Sequence, residues 1–159
     1  MNTSTIALQR KKDDAKQLRI AFVSTYLPTQ CGIAKFTHSL NSAIKDLDDS
    51  IHTHIMRIVV LDDTKINGED IFPVKKHDKQ SYLMAAEFIN KSSIDVVNIQ
   101  HEYGIFGGNW GRYILDFMRN VRKPIITVLH TLEPNITGER AEVFKEICHL
   151  SKKVIIMVP

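Results

Sequence analysis

Only two cysteines, Cys31 and Cys148, occur in the 159-residue chain, and they lie far apart. Two isolated thiols make neither a disulfide framework nor a cysteine metal cluster, so reduced thiols and a fold held by its apolar core are expected. No apolar run approaches the ~18 residues needed to span a bilayer. Met1–Lys16 lacks the apolar stretch of a signal peptide and reads as a mobile polar leader. The expected organisation is a leader over residues 1–17 and one domain over residues 18–159. A cytoplasmic location is expected, and peripheral contact with a membrane is compatible with it. The net charge is only +3, with Arg10, Lys11 and Lys12 clustered in the leader, so nucleic acid is not an expected partner. Three motifs are missing as well. Without G-x-G-x-x-G or G-x-x-x-x-G-K-[ST], nicotinamide and P-loop chemistry lose their support. Without G-x-S-x-G, there is no serine nucleophile elbow.

What is present is a regular alternation of apolar runs with amphipathic stretches. Arg19–Ser24 has the length and near-continuous apolar character of a strand buried on both faces. Ile33, Phe36, Leu40, Ile44 and Leu47 then recur at three- and four-residue spacing, which predicts a helix. Ile51–Leu61 reads as a second strand, Asp62–Asp70 as a polar turn around Asn67-Gly68, and Ile71–Val74 as a short strand held to the sheet edge by Pro73. Tyr82, Ala85, Ala86 and Ile89 mark a helix, and Ile94–Ile99 a buried strand. A helix over Tyr113–Val121, a strand at Ile125–Leu129, a helix from about Glu139 to Ser151 and a strand at Lys153–Met157 follow. Right-handed crossovers turn this series into an α/β, Rossmann-like, doubly wound and mostly parallel sheet in the order 3-2-1-4-5-6. The sequence stops at Val158-Pro159, directly after a strand, which suggests a piece of something longer.

In such sheets ligands bind beyond the carboxyl ends of the strands. That rule selects three loops, Thr25–Ala34, His101–Gly111 and His130–Gly138. In the first, Gly32 opens a helix whose free N–H groups suit an anion, or simply permits a tight turn. In the second, His101 and Glu102 are adjacent and point to opposite faces, so one of the two faces the cleft. Four glycines, Gly104, Gly107, Gly108 and Gly111, suit close approach to a ligand or a mobile lid. Tyr103, Phe106 and Trp110 among them either stack on sugar rings or pack the loop. In the third, His130 stands beside Thr131 and Glu133. A zinc site from His101, Glu102 and His130 has no H-x-x-x-H or C-x-x-C to support it.

These segments resemble a known family. Arg19–Ser24 followed by Gly32-Ile33-Ala34 is similar to the first strand and glycine-bearing loop of the retaining GT-B glycosyltransferases of family 4. Asp95–Glu102 resembles their "D-V-[IV]-x-x-H-x-[HE]" strand, and Pro124–Thr131 their "P-[VI]-[VI]-x-T-x-H-[TD]" strand. The likeness spans residues 19 to 157 and is greatest to mannosyl- and glucosyltransferase-like members, including phosphatidylinositol mannosyltransferases. It implies two Rossmann-like domains facing a cleft, of which this chain is the N-terminal, acceptor-side half. It places Gly32 near the donor diphosphate, Thr131 also on the donor side, and His130 at the transferred sugar as the catalytic group. His101, Glu102 and Tyr103 would line the acceptor side. The implied donor is a nucleotide sugar such as a GDP- or UDP-hexose, and the acceptor a carbohydrate or lipid-linked molecule, with no cofactor and no metal. Cys31 departs from the family by replacing the first of two adjacent glycines. The basic residues and paired glutamates of the family's C-terminal domain are not in this chain, so alone it is expected to be inactive. The competing expectations are a non-catalytic carbohydrate- or partner-binding module, and a hydrolase using Glu102 or His130.

Overall fold

The computed structural model describes residues 17–60 and 71–157. Residues 1–16 of the leader and the polar turn at Asp62–Asp70 therefore lie outside the described residues, as does Val158-Pro159. Six parallel strands form one sheet: β1 (Arg19–Ser24), β2 (His52–Val59), β3 (Ile71–Lys75), β4 (Val96–His101), β5 (Ile125–Leu129) and β6 (Lys153–Ile156). Their order is β3-β2-β1-β4-β5-β6, as the alternation predicts, and every pairing is parallel. Four helices flank the sheet: α1 (Gly32–Leu47), α2 (Lys79–Lys91), α3 (Tyr113–Asn120) and α4 (Gly138–Leu150). The protein is a Rossmann-like, doubly wound α/β fold.

The reversal of strand order between β1 and β4 decides where the helices go. A right-handed crossover from β1 to β2 puts α1 on one face, and crossovers in the opposite direction put α2, α3 and α4 on the other. Side-chain parity shows the split. Ala21 and Val23, Met56 and Ile58, and Val97 and Ile99 join Tyr82, Ile89, Ile114, Phe117 and Ile147 in one apolar core beneath α2, α3 and α4. The alternate residues face α1, where the Ser24 and Thr37 hydroxyls bond at 2.8 Å.

Element ends follow local chemistry. The thiol of Cys31 caps α1 by accepting from the Ala34 N–H at 3.3 Å, and the Asp78 carboxylate caps α2 at the Gln80 N–H. β4 starts and ends two residues later than its apolar run suggests. Ile94 is buried but precedes the ladder, while Asp95 brackets the start of β1 by accepting from the Arg19 N–H and donating its own N–H to the Arg19 carbonyl. His101 is consequently the last residue of the strand and not the first of a loop. Among the described residues no helix is long and apolar enough to cross a membrane.

Candidate functional site

The carboxyl ends of β4 and β5 lie side by side, joined by the His130 N–H donating to the His101 carbonyl at 3.0 Å. Parity then sends their side chains to different places. Asn98 and Gln100 point to the α1 face of the sheet, and so does His130. The His130 ring meets Phe36 of α1 edge-on, with centroids 4.8 Å apart, and its Nε2 lies 2.7 Å from Gln100 Oε1. Gln100 is 0% exposed and donates its amide to Asn98 Oδ1. Burial lowers the pKa of His130, with the Glu102 charge pulling the other way, so the imidazole is neutral at pH 7. Gly32 lies four residues before Phe36, one turn earlier on the same face of α1.

His101 takes the opposite face. Its ring is 1% exposed, stacked on Phe106 at 5.7 Å and met edge-on by Tyr103 at 5.0 Å. Burial pushes its pKa down to about 4 despite the neighbouring Glu102 charge, and its Nε2 has no partner among the described residues. His101 is thus a neutral ring beneath the surface and does not line a cleft. Glu102 is half-buried, and one of its carboxylate oxygens accepts the Thr131 hydroxyl. That bond ties a residue expected on the acceptor side to one expected on the donor side.

Glu102 and Tyr103 do share a cleft of about 510 Å³, with Lys76, Trp110, Glu133 and Arg140 among its other lining residues. Arg140 was not singled out by sequence reasoning, yet it organises this cleft. Its guanidinium sits 4.5 Å from the Tyr103 ring centre and 5.1 Å from that of Trp110. It also forms a two-pronged pair with Glu133 at 2.5 and 2.7 Å. Burial raises the pKa of the Tyr103 phenol, against the lowering effect of Arg140. His130 is not in the lining of this cleft; it lies on the α1 side of the same sheet edge.

The glycine-rich loop is built for packing. A Cβ on Gly107 would stand 1.8 Å from the Lys76 carbonyl oxygen, and Gly111 has φ +73° with the Tyr103 carbonyl close by. Gly104 alone of the four has open space where a Cβ would go. Phe106 is core, whereas Trp110 is 47% exposed. Gly32 likewise has no positive φ, and a Cβ there would meet nothing within 4 Å, so neither backbone nor packing requires glycine at that position. A second cleft, of about 550 Å³, lies between β2 and the first loop, lined by Thr25, Cys31, Arg57, Lys76 and Gly104 among others. Lys76 separates the two clefts by donating to the Gly104 carbonyl at 2.6 Å.

The zinc trio does not assemble. His101 is buried among aromatic rings, Nε2 of His130 is held by Gln100, and no group of three or more His, Cys, Asp or Glu among the described residues is placed to hold a metal ion. Neither a protein-family model nor a curated protein matches the chain.

Proposed function

We propose that this chain is the acceptor-side half of a retaining glycosyltransferase that moves a hexose from a GDP- or UDP-sugar to a carbohydrate or lipid-linked acceptor. The observation that carries the reading is the placement of a half-buried imidazole, His130, at the carboxyl end of β5 and against α1, one turn from that helix's N-terminus. A neutral imidazole there can hydrogen-bond a sugar hydroxyl, and the first N–H groups of α1 beside Gly32 suit a diphosphate. As the bond between the anomeric carbon and the diphosphate breaks, positive charge builds on the sugar ring. Polar groups fixed at that edge stabilise it without reorganising. In this reading the acceptor lies along Glu102 and Tyr103, and a second domain supplies most of the donor site. The enzyme works in the cytoplasm, at the membrane surface if the acceptor is lipid-linked.

The test is sugar transfer by the protein together with its donor domain. His130→Ala should lower transfer by about 100-fold or more, the scale expected for a group acting on the transition state, while the protein still folds with a loss of about 1–3 kcal/mol from the unpaired Gln100 carbonyl. Equal activity in the variant sinks the assignment. The chain alone should bind UDP- and GDP-sugars weakly or not at all, and tight binding would contradict a half-site.

A second reading, a carbohydrate-binding module without catalysis, is favoured by one observation: the cleft beside Tyr103 and Trp110 does not include His130. Trp110 is the only tryptophan and is exposed, so its fluorescence reports occupancy of that cleft. Oligosaccharide binding that changes Trp110 emission, with no sugar transfer under any donor, would favour the module.

A further inference from the structure

We propose that Gln100 is a positioning residue that fixes the tautomer of His130, making this imidazole an acceptor for a ligand hydroxyl and not a donor to a phosphate. The inference rests on the reading of His130 as the reactive group, but its geometry stands on its own. Gln100 is fully buried on β4, and its two amide atoms are both committed. Nε2 donates to Asn98 Oδ1, so the atom turned towards His130 is the carbonyl Oε1. A carbonyl oxygen can only accept. The proton on the His130 ring therefore resides on Nε2, which donates across 2.7 Å. Nδ1 is left with its lone pair and with no protein partner among the described residues.

Three features hold this arrangement. Phe36 packs edge-on against the ring and limits its rotation. The backbone bond from His130 to His101 fixes the ring's origin. Asn98 and Gln100 occupy alternate positions of one strand, so the chain of two amides runs along the sheet, and Gln100 is fully buried. The charged group acting on the ring is Glu102 at the end of β4, while His101, across the backbone, is neutral. A neutral ring with its only free nitrogen unprotonated repels a phosphate oxygen and accepts from a sugar hydroxyl. The polar pair Asn98 and Gln100 thereby selects which part of a nucleotide sugar or acceptor His130 meets: the hydroxyl-bearing ring.

Nitrogen-15 NMR of histidine-labelled protein reads the tautomer directly, with the His130 signals identified by their loss in His130→Ala. At pH 7 to 8 the wild-type ring should show a protonated Nε2 and an unprotonated Nδ1. Gln100→Met, which keeps the length and removes the acceptor, should turn that single tautomer into a mixture. Gln100→Glu should raise the His130 titration midpoint by about one pH unit or more, because a carboxylate then faces the proton on Nε2. A protonated Nδ1 in the wild-type protein overturns the proposal, and so does a Gln100→Met protein whose His130 signals are unchanged. The wild-type spectrum and Gln100→Glu decide the matter if Gln100→Met fails to fold. None of these readouts requires activity: the expected spectra without any sugar transfer would leave the positioning role intact and remove the glycosyltransferase reading.

Discussion

Acidification tests the burial of His101. The ring is 1% exposed between Tyr103 and Phe106, and burial holds its pKa at about 4 against 6.5 for the free side chain. Because the folded value is the lower one, the unfolded chain binds the extra proton between those two pH values. The contribution to stability is full above pH 6.5 and is lost as the pH falls through the window towards 4. Linkage over that interval gives a loss of about 2 kcal/mol between pH 7 and pH 5, reaching about 3 kcal/mol at pH 4. His130 has a lowered pKa too and acts in the same direction, so the comparison must be made against a variant. His101→Phe keeps an aromatic ring on Phe106 and removes both the titrating site and the unpartnered Nε2. In urea unfolding at pH 7, 6 and 5, the wild-type protein should lose about 2 kcal/mol more than His101→Phe across the series. Parallel pH profiles in the two proteins would refute the buried neutral imidazole.

The glycine loop offers a paired test. Gly107→Ala should cost about 3 kcal/mol or more, because its Cβ would press on the Lys76 backbone carbonyl. For a chain of this size that lowers the melting temperature by roughly 6–12 °C. Gly104→Ala has open space and should stay within about 0.5 kcal/mol of wild type in the same thermal scan. At the start of α1, Cys31→Ala removes the side-chain acceptor for the Ala34 N–H and should cost about 1 kcal/mol. Cys31→Ser replaces a weak sulfur acceptor with a preferred capping hydroxyl and should equal or exceed wild type in denaturant midpoint.

The order of the sheet was legible because two periods alternate along the chain, and each crossover has one permitted hand. Strand ends were less so. β4 runs two residues past its apolar stretch because its pairing with β5, which continues through Gln100 and His101, and not its hydrophobicity, sets where the ladder stops. That shift, with strict parity, puts His101 under the helices and leaves Glu102 beyond the strand end, a choice that adjacency in sequence left open. The fate of the glycines was not legible, since the Lys76 carbonyl that excludes a side chain at Gly107 comes from the residue just after β3. Arg140 and Phe36 were invisible for the same reason: both are ordinary helix residues until the fold sets them over Tyr103 and His130. Asn98 and Gln100 did carry a signal. Two amides at alternate positions of an otherwise apolar strand mean that one face of it is wet or occupied by polar partners.

The strand order also governs how the protein is made. β1 has β2 on one side and β4 on the other, and the bond from Arg19 to Asp95 spans 76 residues. At ~5–20 residues per second, a ribosome needs roughly 4–15 s to deliver that second neighbour. Throughout that time one of the two central strands of the sheet presents a bare, apolar edge, and only β2 and then β3 can shelter the other side. The emerging chain is therefore at its most adhesive midway through synthesis. Holding the nascent chain apart from its neighbours over that interval is the service a chaperone would render it.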